Sequence, residues 1–81
     1  MKLPSFYDIY PLTIVLDRYG GTYSDGVFTA WNCYADEIPT EIDGSDLECW
    51  TFWEKADRSR IGFGDSVNFA IADLYTKLHS F

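Results

Sequence analysis

Eighty-one residues, 47% of them apolar and including three Trp, six Tyr and six Phe, suffice for one hydrophobic core and leave no room for a second domain or a disordered chain. A net charge of −7 with only six Lys and Arg argues against direct binding to nucleic acid, whose phosphates call for basic side chains. Between Arg18 and Lys55 there is no base at all, while Asp25, Asp36, Glu37, Glu41, Asp43, Asp46, Glu48 and Glu54 fall there. That segment carries −8, and the remaining five acids and six bases leave the rest of the chain at +1.

Residues 1–11 hold two prolines and no regular period, and read as a lead-in lying against the core. Over residues 12–17, Leu12, Ile14 and Leu16 alternate with Thr13, Val15 and Asp17, which predicts a half-buried strand. Tyr19-Gly20-Gly21 breaks it. Asp25-Gly26 is the strongest hairpin signal in the chain, and predicts that residues 22–24 pair with residues 27–33 through a tight turn with Gly26 at positive φ. In the second arm Val27, Thr29, Trp31 and Cys33 share one face while Phe28 and Ala30 take the other, the two-sided apolarity of a central strand.

Residues 34–44 read as a surface connection, stiffened by Pro39 and pinned by Ile38 and Ile42. Ser45 and Glu48 fit a capping box, so a helix is expected to start there. Its core face is expected to be Cys49, Phe52, Trp53 and Ala56, widened by Trp50, and Arg58-Ser59-Arg60 is expected to end it. Residues 61–64 offer a last short strand. Asp65 and Ser66 then cap a second helix to about Leu78, with Val67, Ala70, Ile71, Leu74 and Leu78 as its buried stripe and Tyr75 at the edge. Phe69 falls outside that stripe, and packing under the lead-in is the favoured expectation for it. The whole predicts a single α+β domain over residues 1–81, with a small antiparallel sheet of three or four strands and two helices packed on one face.

Candidate chemistry is sparse. Cys33 and Cys49 read as reduced thiols rather than a disulfide, and no secretory leader or membrane span is expected. The single His79 sits near the end with no nucleophile placed beside it, so the chain reads as a non-enzyme with no cofactor and no metal site. Asp43 to Glu48 has the wrong span and order for a calcium loop. Gly62-Phe63-Gly64-Asp65 reads as a tight strand-to-helix turn rather than an anion cradle.

The remaining candidate is the acidic arc of Asp36, Glu37, Glu41, Asp43, Asp46, Glu48 and Glu54, read as a partner-binding surface. Like charges gathered without interleaved bases repel one another, and a basic protein surface is their natural counterpart.

Two family resemblances bear on that arc. Tyr19-Gly20-Gly21-Thr22-Tyr23-Ser24, then Gly26, then Ala30-Trp31-Asn32, followed by the acidic stretch, resembles the opening domain of ArdA-type antirestriction proteins and small prophage proteins. It covers about residues 19–54. It implies a protein of a mobile element that imitates the charge of DNA and occupies restriction enzymes. The functional expectation is a phage- or mobile-element-encoded inhibitor set on the basic nucleic-acid-binding surface of a host defence protein, whether restriction or CRISPR machinery, in the host cytoplasm, as a monomer or homodimer. Tyr10-Pro11-Leu12 and Gly64-Asp65-Ser66, with Ala70, Leu74 and Leu78, resemble HicB-like antitoxin domains. That second resemblance implies a small sheet-plus-helix module and, as an alternative, an antitoxin-like or regulatory binding role.

Overall fold

The computed structural model describes residues 9–79. Three four-residue strands, β1 (Thr13–Leu16), β2 (Phe28–Trp31) and β3 (Ile61–Gly64), form one antiparallel sheet in the order β1-β2-β3. Two helices, α1 (Asp46–Lys55) and α2 (Val67–Leu78), complete the α+β fold. Short 3-10 turns at Ala35–Glu37, Thr40–Asp43 and Arg58–Arg60 fill the connections. Residues 1–8 of the expected lead-in lie outside the described residues, and its end enters the core through Ile9.

The central position expected for β2 is the one it takes, and its two-sided apolarity has a specific cause. Ala30 joins Ile9, Ala70, Ile71 and Leu74 under α2, whereas Trp31 joins Ile42, Cys49, Trp53 and Ile61 under α1. Successive side chains of a strand point to opposite faces, so the helices lie on opposite sides of the sheet. The expectation that both pack on one face is therefore corrected: a three-stranded sheet with both faces apolar needs a cover on each.

The Asp25-Gly26 hairpin does not form either. Thr13, Ile14, Val15 and Leu16 pair with Trp31, Ala30, Thr29 and Phe28, so β1 is the partner of β2, and residues 17–27 make one wide loop. Asp17 organises that loop: its N–H donates to Val27 O at 2.7 Å, and its Oδ2 accepts from Tyr19 N at 3.1 Å and Gly21 N at 2.7 Å. Positive φ falls at Gly20 and Gly21, not at Gly26. Gly26 is a glycine because a Cβ there would lie 2.6 Å from the backbone N of Gly64.

Ser45 caps α1 in the expected box, accepting from Glu48 N at 3.3 Å while Glu48 Oε1 accepts from Ser45 N at 3.2 Å. The helix ends at Lys55, before Arg58–Arg60. Ser66 caps α2 by accepting from Phe69 N at 3.2 Å. Three expected core residues are exposed: Trp50 on α1, Val67 on α2 and Leu16 on β1. Phe69 is 68% exposed, so the packing expected for it is overturned.

The closest joint in the fold is between α2 and β3. A Cβ on Gly62 would come within 2.2 Å of Ala70 O, and one on Gly64 within 2.5 Å of Ala70 N, so helix backbone rests directly on strand backbone. The outer edge of β3 is closed by the same helix: Phe63 N donates to Asp73 Oδ2 at 2.9 Å and Lys77 Nζ donates to Ile61 O at 2.9 Å, with Asp73 and Lys77 paired at 2.9 Å. An edge so occupied offers no ladder to another strand. Gly62→Ala is expected to destabilise the fold by about 3 kcal/mol or more, because the clash is with backbone that cannot rotate away. Urea unfolding measures this, with Gly20→Ala, whose Cβ meets nothing but whose φ is positive, expected to cost about 1 kcal/mol.

Candidate functional site

All seven acidic candidates are exposed, and they follow one path along the chain. Asp36 and Glu37 sit on the first 3-10 turn, Glu41 and Asp43 on the second, and Asp46, Glu48 and Glu54 on α1. Ile42, buried between the second turn and α1, packs with Cys49 and Trp53, and this apolar pin fixes the turn against the helix. Asp46 and Glu48 flank the buried line of α1 on opposite sides, at 100° per residue, so the surface wraps round the helix rather than covering one face of it.

What holds this segment is its backbone, not its carboxylates. Tyr19 Oη donates to Gly44 O at 2.9 Å, Arg18 Nη1 donates to Asp43 O at 3.0 Å, and Cys49 Sγ lies 3.3 Å from the carbonyls of both Glu41 and Ile42. Among the described residues the ion pairs are Arg58 with Asp25 and Lys77 with Asp73, and neither contains one of the seven. The carboxylate contacts are with neutral donors. Tyr23 Oη donates to Asp46 Oδ2 at 3.0 Å, Tyr34 N to Glu37 Oε1 at 3.1 Å, and Thr40 Oγ1 to Glu41 Oε1 at 3.1 Å. Each fixes a direction while leaving the charge in place. The bond to Asp46, helped by desolvation, holds the Tyr23 hydroxyl above its ordinary pKa.

The tyrosines of the Tyr19 to Ser24 motif thus have a structural task, as the posts that tie the wide loop to the start of α1; their rings meet edge to face at 5.5 Å. Behind them, Arg58 Nη1 lies 2.7 Å from Asp25 Oδ2, its Nη2 donates to Tyr23 O and Trp53 O at 3.1 Å, and its guanidinium lies over the Trp53 and Phe63 rings.

Sequence periodicity misses two residues of the site. Leu47 is 69% exposed and Trp50 50% exposed. With Thr51 and Glu54 they recur at i, i+3, i+4 and i+7 as an outward stripe on α1. That spacing is legible in the sequence, but Trp50 adjoins Cys49 and fits the buried stripe equally well. Along α1, beside Leu47, lies an open groove of about 500 Å³ whose apolar lining is Leu47, Phe52 and Ala56, with Thr51 among its polar residues. Glu41 and Glu48 line it together with Lys55, which lies about 10 Å along the helix from Glu48.

Elsewhere the chemistry is plain. His79 ends α2, stacked on Tyr75 at 4.2 Å. Among the described residues no group of three His, Cys, Asp or Glu side chains is placed to hold a metal ion, and no helix is long and apolar enough to cross a membrane. Both thiols are free. Burial pushes Cys33 above its ordinary pKa, and the charges of Glu37 and Asp36 push it further. Burial likewise raises Cys49.

Fold and surface together define a small α+β domain presenting an acidic, partly apolar face. No protein-family model, no curated protein and no solved structure matches the chain.

Cys33 is a built-in reporter of that face. A raised pKa means less thiolate below it, so removing the neighbouring negative charge must increase reactivity. Replacing Asp36 by Asn and Glu37 by Gln is expected to speed alkylation of Cys33 at pH 8, and added salt is expected to do the same in the unaltered protein. An unchanged Cys33 rate would show that the field of the arc does not reach it.

Proposed function

We propose that this chain is an inhibitor encoded by a phage or other mobile element, which sets its acidic face on the nucleic-acid-binding surface of a bacterial defence protein of the restriction or CRISPR type. It works in the host cytoplasm by stoichiometric binding, as a monomer or homodimer, without catalysis or a cofactor. The observation that carries this reading is the run of seven exposed carboxylates over residues 36–54, none of them in an ion pair among the described residues. Carboxylates held in fixed directions and offered without counter-charge ask for the Lys and Arg side chains that otherwise neutralise phosphates. Leu47 and Trp50 supply what a phosphate run lacks, an apolar anchor within the charged field. The partner is therefore a basic protein surface, and nucleic acid is its competitor rather than its ligand.

Affinity purification of the tagged chain from a bacterial host, with mass spectrometry, identifies the partner. Asp36→Asn, Glu37→Gln, Glu41→Gln and Asp43→Asn together then test the face. Glu37 caps the first 3-10 turn, and glutamine keeps the oxygen that accepts from Tyr34 N, so the fold is retained. Affinity should fall at least about tenfold, or about 1.4 kcal/mol. For the unaltered protein it should fall steeply with salt, and duplex DNA should compete. Inhibition should saturate at a fixed molar ratio. A folded quadruple variant of unchanged affinity, or DNA and this chain bound to the partner together, would contradict the reading.

A further inference from the structure

A surface that imitated phosphates alone would gain nothing from an apolar trench, yet one lies inside the acidic arc. Leu47, Phe52 and Ala56 supply its apolar lining, Leu47 exposed and Phe52 half-buried. Its charged residues are Glu41 on the second 3-10 turn, Glu48 in the first turn of α1, and Lys55 two turns after Glu48. The two glutamates are also fixed in place. Glu48 Oε1 accepts from Ser45 N and Glu41 Oε1 from Thr40 Oγ1, leaving Oε2 of each without a hydrogen-bond partner among the described residues. Acceptors already held in position lose little freedom when a cation arrives.

We propose that this groove receives an amphipathic basic segment of the partner: a Leu or Met side chain set against its apolar lining of Leu47, Phe52 and Ala56, with a Lys or Arg beside it on Glu41 and Glu48. The segment's carboxylate-bearing end lies toward Lys55. The proposal rests on the function argued above and names the element of the basic partner that the acidic face engages. Charge complementarity selects this occupant. An all-apolar helix would leave two glutamates facing it across the groove, and an acidic one would be repelled by them. A helix laid against a helix-lined groove meets it through residues one turn apart, which matches an apolar anchor followed or preceded by a base.

The test uses the full chain, labelled with nitrogen-15, and a synthetic helical peptide carrying one Leu flanked by Arg on one face and ending in Glu. Comparison peptides replace Leu by Ser, replace both Arg by Glu, or reverse the sequence. The first peptide should shift the amides of Glu41 and of residues 47–56, and each comparison peptide should bind at least fivefold more weakly. In the protein, Leu47→Ser and Thr51→Arg should each weaken binding of the first peptide at least fivefold; both positions are exposed, so the fold survives the change. Equal binding of the Ser-containing peptide, shifts centred outside the groove, or no shift with any peptide would overturn the proposal. The identified partner separates this from the wider reading. If Leu47→Ser leaves its affinity unchanged while Asp36→Asn with Glu37→Gln reduces it, the groove proposal fails and the acidic-face reading stands; if neither change matters, both fail.

Discussion

One guanidinium joins three parts of the chain: the wide loop, the end of α1 and β3. Arg58 holds Asp25 and Tyr23 O in the wide loop, Trp53 O at the end of α1, and the rings of Trp53 and Phe63 between α1 and β3. Its position follows from the 3-10 turn that carries it straight into β3, with Asp57 capping that turn through Ser59. The fixed fork of arginine can meet a carboxylate, two carbonyls and two aromatic faces at once, which a lysine ammonium cannot. Loss of this side chain would remove the link from the loop to Trp53 O and β3 and leave the Tyr19 and Tyr23 hydroxyls as the loop's ties to the start of α1.

The same economy of cations explains the surface. Lys77 closes the edge of β3, and Arg18 takes a backbone carbonyl, not a carboxylate, of Asp43. Tyrosine hydroxyls, a thiol and a buried isoleucine do the rest of the anchoring. A segment attached by carbonyls and neutral donors keeps its charge available, whereas one attached by salt bridges would have neutralised it. The acidic arc is thus a consequence of how the segment is fastened, and the proposed inhibitor function makes use of it.

Much of the fold was legible where local chemistry decides it. The capping box at Ser45, the stripe of α2 and the central strand β2 all rest on spacing that the chain itself carries. The wide loop was not legible, because Asp25-Gly26 has the composition of a hairpin turn while its function is to let Gly26 lie against Gly64, a contact nearly forty residues distant. Nor was the side of the sheet on which each helix lies, since two apolar faces of β2 do not say which helix covers which. Of the site, the carboxylates were visible as a run without bases; Leu47 and Trp50 were not, because an aromatic one residue from Cys49 fits a buried stripe as well as an exposed one.

The central claim is that charge over residues 36–54 stays uncompensated while the remainder of the surface is nearly neutral. Soluble nitroxides of positive and of zero charge measure this directly, through the paramagnetic relaxation each induces at individual backbone amides. The account predicts that the positive nitroxide relaxes exposed amides of residues 36–54 much more strongly than the neutral one, with the two nearly equal along α2. Equal effects of both nitroxides over residues 36–54, or a positive-probe maximum at Asp65 or Asp73, would contradict it.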